Sequence, residues 1–316
     1  MRVAVSSLSF CQNPMLRDEL SAAYPDVRFN DQGRHLSEDE MVAHLAGCDA
    51  AILGLDPLTQ PMLERLPDLK VVTRMGVGLD NLDPDLLNLF GIRIGWTGGT
   101  NRHSVAELTV CFAIAGLRRV APLNAGMRAG ERPTHRMGRH LAGRVVGLHG
   151  CGNVGKEVVR LLQPFGCTVL ASDIRDYPKF YAENDVVPVG MSELLERSEV
   201  LSIHLPLTNS TRGLYAAETL DQLRSDCVLI NTCRGDIVDE TALKERLHDG
   251  RIAAACFDVF AVEPPTNDEL ILAPNFLCTP HIGGSAEEAR IAMGRAAIAD
   301  LTDTFVPERG KPPFDE

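Results

Sequence analysis

The segment GRVVGLHGCGNVGKEVV, residues 143–159, combines a short apolar strand, a glycine-rich turn and the start of a helix. Within it, Gly150, Gly152 and Gly155 have the spacing G-x-G-x-x-G. In a dinucleotide-binding βαβ unit the first glycine permits a tight turn, the second lets the pyrophosphate approach the backbone, and the third lets helix and strand pack closely. The segment therefore predicts a dinucleotide site that begins almost halfway along the chain.

An acidic residue follows this turn at the distance that such a site requires. Asp173 ends the stretch TVLASD, eighteen residues beyond Gly155. A carboxylate there can accept both hydroxyls of an adenosine ribose and would repel a 2'-phosphate, so NAD is favoured over NADP. Arg175, two residues further on, weakens that preference. The alternative is a glycine-rich turn that binds no ligand.

Composition limits the possible partners and compartments. The chain has 316 residues and a net charge of -12, which argues against a nucleic-acid surface. The start MRVAVSS lacks the charged n-region of a secretory signal, and the longest apolar run, residues 108–117, is too short to span a bilayer. The nine cysteines form no C-x-x-C pair and no zinc-like spacing. We expect a cytoplasmic protein with reduced thiols and no metal, nucleic-acid or membrane partner.

Apolar runs alternate with amphipathic stretches along the whole chain, which is the rhythm of βαβ units and parallel sheets. The first third contains the strand candidates VAV, AAIL, KVVTRM and IRIGW, and a second series of almost continuous apolar strands begins at Arg144. Such strands fit a sheet that is covered on both faces. The predicted class is α/β, with two Rossmann-like doubly wound parallel-sheet domains.

A long apolar stretch, Asn101–Arg119, interrupts this rhythm and predicts a buried helix between the two series. Ser104 and Glu107 have the S-x-x-E spacing of a capping box, which predicts a helix start at Ser104. Ser285 and Glu288 predict the start of the final helix in the same way.

The segment after the first of these helices, residues 121–140, is rich in Gly, Pro and Arg and predicts an exposed arm. The final helix follows the last strand of the second series, so it can cross back to the first series. We therefore predict that the nucleotide-binding domain, residues 101–284, is inserted into a discontinuous substrate-binding domain formed by residues 1–100 and 285–316.

An arginine lies just beyond one strand of the second series. In NTCRGDIVDE, Arg234 follows the carboxyl end of the strand, where ligands collect in open α/β sheets. A guanidinium at this position can hold a carboxylate through two parallel hydrogen bonds. The alternative is a surface arginine that pairs with Asp236 or Asp239.

The next two strands also end in ionisable residues. FDVFAVEPP carries Asp258 and Glu263, and CTPHIGG carries His281. Each could be structural or solvated alone, but Arg234, Glu263 and His281 follow consecutive strands on one sheet edge. A histidine paired with a carboxylate keeps one tautomer and a raised pKa, which suits proton exchange near neutral pH.

In the first series, the stretch RMGVGLDNLD follows a strand and contains three candidate anion ligands. Its glycines expose backbone N–H groups around Val77 and Gly78, and Arg74 adds a positive charge. These features predict a small anion-binding nest. A plain strand-to-helix turn is the alternative.

Together these stretches resemble the D-isomer-specific 2-hydroxyacid dehydrogenases, and among them the 3-phosphoglycerate dehydrogenase branch. The likeness runs in order through LKVVTRMGVGLDNLD, NRHSVAELT, GCGNVG, NTCRGDIVDE, FDVFAVEPP and TPHIGG. It implies the inserted nucleotide domain, an NAD cofactor, and hydride transfer between the nicotinamide and C2 of a small anionic 2-hydroxy or 2-oxo acid. It also implies a homodimer formed through the nucleotide-binding domain.

The resemblance implies a role for each candidate residue. Arg234 would hold the substrate carboxylate, His281 would be the acid/base, and Glu263 would orient and charge it. The implied cofactor ligands are Gly150, Gly152, Asn153, Val154, Gly155, Asp173, Leu205, Thr232, Cys233, Asp258 and Gly284, with Asp258 at the nicotinamide carboxamide. The implied substrate ligands are Arg74, Val77, Gly78, Asn101 and Arg234.

Two departures from the family pattern leave the substrate open. Relatives usually carry Asn-Thr-Pro-Gly at the domain junction, whereas this chain has WTGG from Trp96 to Gly99. Gly54 stands where some phosphoglycerate enzymes have an arginine for the phosphate. Phosphoglycerate is therefore one candidate among several acids. The rival interpretations are a family member acting on phosphite or formate, against which Glu263 counts, and an NADH-sensing corepressor-like binding protein.

Overall fold

The computed structural model describes residues 1–132, 137–265, 268–311 and 313–314. The chain divides into two compact units. The first comprises Met1–Asn101 and Gly284–Glu316, and the second comprises Arg102–Gly283.

The first unit is built on a parallel sheet whose strands have the order β2-β1-β3-β4-β5 within the described residues. The two strands β1 and β3 at its centre are fully buried and consist of Val, Ala, Ile and Leu, as expected where helices cover both faces. The strands are β1 Val3–Val5, β2 Val27–Phe29, β3 Ala50–Leu53, β4 Val71–Arg74 and β5 Arg93–Gly95.

Helices from both ends of the chain pack on this sheet. The helices of the first unit are α1 Leu8–Cys11, α2 Pro14–Ala23, α3 Glu38–Leu45, α4 Gln60–Glu64, α5 Pro84–Leu89 and α14 Glu287–Ala299. Gly294 lets α14 approach α2, because a Cβ atom there would overlap the side chain of Leu16. The hydroxyl of Thr73 on β4 donates to the carbonyl of Ala297 at 3.0 Å. The final helix therefore belongs to the core of the first unit.

The second unit contains a parallel sheet with the order β12-β11-β10-β9-β6-β7-β8 in the described part of the chain. From β6 the chain moves outward through β7 and β8 on one side, and then through β9 to β12 on the other. The order reverses between β6 and β9, and ligands of open α/β sheets bind outside the carboxyl ends at such a point. The strands are β6 Val145–His149, β7 Thr168–Ser172, β8 Val186–Pro188, β9 Val200–Ile203, β10 Val228–Asn231, β11 Ala254–Phe257 and β12 Phe276–Cys278.

Apolar clusters on the two faces of this sheet form the core of the second unit. Its helices are α6 Arg102–Leu117, α7 Val120–Arg128, α8 Asn153–Leu162, α9 Pro178–Glu183, α10 Met191–Arg197, α11 Ala217–Leu220, α12 Glu240–His248 and α13 Asp268–Ile271, with short 3-10 turns at Gln163–Phe165 and Gly235–Ile237.

Both capping-box predictions are wrong. Helix α6 begins at Arg102, and the Ser104 hydroxyl donates to the carbonyl of Gly283 at 2.5 Å instead of capping the helix. Helix α14 begins at Glu287, with Ala286 at the N-cap and no side-chain cap. A tertiary hydrogen bond therefore overrides the S-x-x-E pattern at α6, and the structure gives no corresponding contact for Ser285.

The predicted exposed arm is partly helical. Its first half contains most of α7, which starts directly after a left-handed residue, Arg119. Residues 133–136 of the arm lie outside the described residues. In the described part of the chain, no helix combines the length and apolarity needed to cross a membrane.

Candidate active site

The turn after β6 has the close approaches that its glycines predict. Gly150 has a φ of +97°, and a Cβ atom there would overlap the carbonyl oxygen of His204. A Cβ atom on Gly155 would overlap the carbonyl oxygen of Gly150, so this glycine brings α8 against the turn. Gly152 differs, because no atom lies within 4 Å of an added Cβ. The space beside Gly152 is open to a ligand.

The start of α8 provides donors for an anion. Gly152 is its N-cap and supplies no side-chain cap. Among the described residues, the N–H groups of Asn153 and Val154 have no backbone acceptor. A helix N-terminus with free N–H groups and a positive dipole end is suited to a phosphate group. The turn therefore fits the pyrophosphate of a dinucleotide.

Asp173 is held in place by the turn. Its Oδ2 accepts from the Cys151 N–H at 2.6 Å, and its Oδ1 accepts from the Arg175 N–H at 2.8 Å. Each carboxylate oxygen has about two acceptor positions, so each keeps one for a ribose hydroxyl. These backbone hydrogen bonds orient the carboxylate and leave each oxygen with about one acceptor position.

Two glycine substitutions separate the ligand space from the packing contact. We expect Gly155→Ala to lower the free energy of unfolding by about 2–3 kcal/mol, because its Cβ would overlap backbone. We expect Gly152→Ala to change stability by less than about 1 kcal/mol, because its Cβ meets open space, yet to weaken NADH binding at least tenfold. Denaturant unfolding and NADH titration measure the two effects. Unchanged NADH affinity in Gly152→Ala would contradict the placement of the pyrophosphate.

Asn231 fixes the loop that carries Arg234. The Asn231 side chain is fully buried at the end of β10, and its Nδ2 donates to the Arg234 carbonyl at 2.9 Å. Its Oδ1 accepts from the Cys233 N–H at 3.1 Å and from the Cys233 thiol at 3.0 Å. The Arg234 guanidinium itself is partly exposed, and its Nη1 donates to the Cys233 carbonyl at 2.6 Å. The loop therefore holds a cation at the carboxyl edge of the sheet.

Gly235 brings this loop against the loop that follows β11. A Cβ atom on Gly235 would overlap the backbone of Phe260 and Ala261, so only glycine allows these two loops to touch. In the second loop, the Phe260 N–H donates to Glu263 Oε1 at 3.0 Å. This contact leaves the other oxygen of Glu263 available.

That second oxygen forms the central contact of the site. His281 Nδ1 lies 2.7 Å from Glu263 Oε2, with side-chain exposures of 45% and 36%. The hydrogen bond to Glu263 raises the pKa of His281 against the opposing effect of burial, and Arg234 lowers it slightly. Burial alone would raise the pKa of Glu263, but the bonds from His281 and Phe260 N–H outweigh it and lower that pKa. Glu263 is therefore the anionic partner of a basic, reachable histidine.

Asp258 holds the loop that carries His281. This carboxylate is 1% exposed and accepts from the Thr279 hydroxyl at 2.5 Å, the Ile282 N–H at 2.8 Å and the Gly283 N–H at 2.7 Å. The Asp258 carbonyl accepts from the His281 N–H at 2.8 Å. His281 itself has a φ of +51°, a left-handed backbone that costs on the order of 1 kcal/mol outside glycine. The surrounding bonds stabilise this conformation.

The remaining cofactor candidates of the second unit surround the same edge. Leu205 follows β9, and a Cβ atom on Gly150 would lie 3.3 Å from its Cδ2. The Thr232 hydroxyl lies 3.2 Å from that of Thr109, and Cys233 is partly buried beside Asn231. Leu205 thus follows β9, the neighbour of β6, whereas Thr232 and Cys233 follow β10, the next strand in the sheet.

The other candidates belong to the first unit. Arg74 ends β4, is 9% exposed, and donates from Nε to the Gly54 carbonyl at 3.1 Å. In the described residues the N–H groups of Val77 and Gly78 have no backbone acceptor, as a nest for an anion requires. The last two candidates, Asn101 and Gly284, are adjacent, because a Cβ on Gly284 would lie 2.9 Å from Asn101 Nδ2.

Trp96 has a definite role in this unit. Its Nε1–H donates to the Val77 carbonyl at 2.8 Å. Its ring fills the space beside Gly98, where a Cβ atom would lie 2.6 Å from the ring. Trp96 therefore fixes the Val77 turn, and Gly98 leaves room for its ring.

Sequence reasoning missed three residues that position the site: Asn231, Gly235 and Thr279. An Asn at a strand end, three residues before an Arg, is a detectable turn signal for Asn231. Thr279 and Gly235 act through contacts with another loop, which no local pattern reveals. In the described residues, no cluster of three or more His, Cys, Asp or Glu side chains could hold a metal ion.

Comparisons with known proteins identify the family of this chain. Residues 110–283 match the family described as D-isomer specific 2-hydroxyacid dehydrogenase, NAD binding domain. The hydroxypyruvate reductase of Thermotoga maritima is 34% identical over 82% of this chain and 86% of its own length. The D-3-phosphoglycerate dehydrogenase of Methanocaldococcus jannaschii is 33% identical over 82% of this chain, which spans only 50% of that relative.

Solved structures show the same fold. The TT0316 protein from Thermus thermophilus superposes with a TM-score of 0.84 at 30% identity and covers 95% of this chain and 94% of its own. A glyoxylate reductase from Paecilomyes thermophila gives a TM-score of 0.85 at 23% identity over 100% of this chain and 99% of its own, which supports the fold alone.

The two parallel sheets and the glycine turn define an NAD-dependent oxidoreductase of the two-domain Rossmann type. More closely, the chain belongs to the D-isomer specific 2-hydroxyacid dehydrogenase family.

The contribution of Glu263 to the basicity of His281 can be measured directly. In Glu263→Gln we expect the His281 titration midpoint, followed by NMR, to move to lower pH, because the hydrogen bond and the negative charge that raise its pKa are weakened. Glu240→Gln is the matched control, since Glu240 accepts from the Ala261 N–H in the same region and does not contact His281. Equal midpoints in the wild type and Glu263→Gln would refute the pairing.

Proposed function

We propose that this protein interconverts a small anionic D-2-hydroxy acid and its 2-oxo acid, with His281 as the acid/base, Glu263 as its partner and Arg234 as the carboxylate ligand. The observation that carries the proposal is the 2.7 Å contact between His281 Nδ1 and Glu263 Oε2. The contact joins the loops that follow β11 and β12, and Arg234 follows β10, the next strand of the same parallel sheet. Family membership supports the same reaction class.

The direction of the hydrogen bond assigns the proton to be moved. An ionised Glu263 accepts from Nδ1–H, so a neutral His281 has its lone pair on Nε2. Nε2 can then take the proton of a 2-hydroxyl group during oxidation. During reduction, the doubly protonated imidazole donates the same proton to the oxygen of the 2-oxo group. A raised pKa keeps this donor form populated to higher pH, which favours reduction near neutrality.

When bound, the nicotinamide cofactor accepts or supplies the hydride at C2 of the acid. The residues of this chain bind and orient it. Asn153 and Val154 offer N–H groups to the pyrophosphate, and Asp173 offers one acceptor position per oxygen to the ribose. For the carboxamide we propose the loop that Asp258 holds through its three donors, since the carboxylate itself is only 1% exposed.

The substrate ligands come from two groups of residues. A partly exposed Arg234 guanidinium can bind the carboxylate through two hydrogen bonds. From the first unit we propose Arg74, Asn101 and the N–H groups of Val77 and Gly78. Hydroxypyruvate and 3-phosphoglycerate, the acids named for the two relatives, are candidates, although Gly54 offers no second cation.

The proposal is tested with purified protein, NADH and a panel of 2-oxo acids. We expect turnover with at least one acid, and a fall in kcat of about 10²-fold or more in His281→Gln, because the positioned proton donor is lost. Cofactor affinity should stay unchanged, as measured by NADH titration. Absence of turnover with every acid, or normal kcat in His281→Gln, would overturn the assignment.

Arg234→Lys distinguishes substrate binding from proton transfer. Lysine keeps the charge but loses the planar two-bond geometry, so we expect KM to rise about tenfold or more with the best acid. The pH midpoint of the reaction should change less than in Glu263→Gln. A KM equal to that of the wild type would remove Arg234 from the substrate site.

We propose the cytoplasm as the compartment, since all nine cysteines are free thiols. We also propose a homodimer formed through the second unit. A groove of about 1050 Å³ lies near the amino ends of β10, β11 and β12, away from the carboxyl ends that carry the candidate site. Its lining includes Leu117, Leu247 and Leu277. Nearby apolar side chains are exposed, Met137 by 89% and Leu272 by 78%. Such a surface favours a protein partner.

Light scattering tests this assembly. We expect a mass of about twice 34.4 kDa for the wild type. Leu272→Asp should shift the equilibrium toward the monomer by burying a charge in the interface. Leu89→Asp, an equally polar change at a 73% exposed leucine of the first unit, is the control. A monomeric wild type would exclude the dimer.

A further inference from the structure

A polar pair lies beside the glycine turn and has no part in the proposed chemistry. His149 is the last residue of β6 and directly precedes Gly150. Its Nδ1 lies 2.8 Å from the hydroxyl of Tyr215, and the two rings meet edge to face at 5.8 Å. The pair joins the end of β6 to the segment that follows β9.

Tyr215 determines the tautomer of this histidine. Its side chain is fully buried, and His149 is the hydroxyl's hydrogen-bond partner among the described residues. Burial raises the pKa of Tyr215 well above its usual value, so the phenol stays protonated. A buried hydroxyl without an acceptor is costly, so it donates to Nδ1. The ring proton of a neutral His149 must then be on Nε2.

His149 is neutral under ordinary conditions. Burial lowers its pKa to about 4, although the nearby Asp173 carboxylate opposes the shift. The residue is nevertheless only partly buried. His149 Nε2 is also not one of the fully enclosed side-chain atoms that lack a hydrogen-bond partner in the described residues. Nε2–H is therefore an uncharged, accessible donor close to Asp173.

We propose that His149 Nε2–H donates a hydrogen bond to the adenosine half of the cofactor and acts with Asp173 as a second determinant of nucleotide affinity. Asp173 can only accept, whereas His149 can donate, so the two complement a nucleoside that carries hydroxyl donors and ring-nitrogen acceptors. We choose the adenosine half because His149 ends β6 and Asp173 directly follows the neighbouring strand β7. His281 follows β12, at the other end of the sheet. The inference rests on nucleotide binding at the glycine turn and not on the identity of the acid.

Fragments of the cofactor test the inference by calorimetry. ADP-ribose contains the adenosine half, and reduced nicotinamide mononucleotide lacks it. We expect His149→Leu to weaken ADP-ribose about three- to tenfold and to leave the mononucleotide unchanged, as for the loss of one hydrogen bond. His149→Gln, whose amide offers both an acceptor to Tyr215 and a donor, should recover most of the affinity.

His44→Leu is the matched control. His44 is also a partly buried histidine with one hydrogen bond, to the Val5 carbonyl at 3.0 Å, but it belongs to the first unit. ADP-ribose affinity equal to that of the wild type in a folded His149→Leu would overturn the inference. Equal losses in His149→Leu and His44→Leu would overturn it too, since they would indicate a general effect of destabilisation.

The tautomer provides a readout that does not depend on affinity. Long-range ¹H–¹⁵N correlation spectra of the nucleotide-free protein should show Nδ1 of His149 unprotonated and Nε2 protonated, and the Nε2 resonance should shift when ADP-ribose is added. Tyr215→Phe should lose this tautomer preference. A wild-type protein with the proton on Nδ1 would contradict the donor role. If ADP-ribose binds as expected but no acid is reduced, the inference stands and the proposed function fails.

Discussion

The active edge of the second unit depends on one buried charge. The Asp258 carboxylate is almost inaccessible, and a carboxylate in that position is tolerated only when its oxygens are hydrogen-bonded. Its three donors belong to the loop of residues 279–283, which carries His281. The loop cannot relax without leaving the charge unpaired. This constraint holds the left-handed backbone of His281 and presents its ring to Glu263.

The three charged side chains of the site come together because their strands are parallel neighbours. Strands β10, β11 and β12 pair in sequence, so their carboxyl ends meet at one edge. The separation of the first two loops is set by Gly235, which admits the Phe260–Ala261 backbone. Glu263 and Arg234 then act on His281 in opposite directions, and the hydrogen-bonded carboxylate has the larger effect. The edge therefore keeps a histidine of raised pKa close to a partly exposed guanidinium, which is the combination that the proposed function needs.

Sequence patterns predict features that depend on chain direction and local conformation. The α/β class and the sheets, the glycine turn and the strand-end position of Arg234 are of this kind. Strands β2 and β8 were not predicted, because VRF and VVP are three-residue edge strands without an extended apolar run. Ser104 misled because its hydroxyl bonds to Gly283, 179 residues away. The roles of Asn231 and Gly235 depend on such nonlocal contacts.

The charge state of His149 shows why burial matters as much as residue type at the nucleotide edge. A protonated histidine beside Asp173 would form an ion pair with it and occupy the acceptor positions that we propose for the ribose. Burial against Tyr215 keeps His149 neutral, so the Asp173 oxygens retain the positions that the Cys151 and Arg175 N–H groups leave open. An ion pair between His149 and Asp173 would therefore weaken nucleotide binding here, although such a pair stabilises many surface contacts. A buried phenol resolves the conflict by fixing the histidine as a donor that carries no charge.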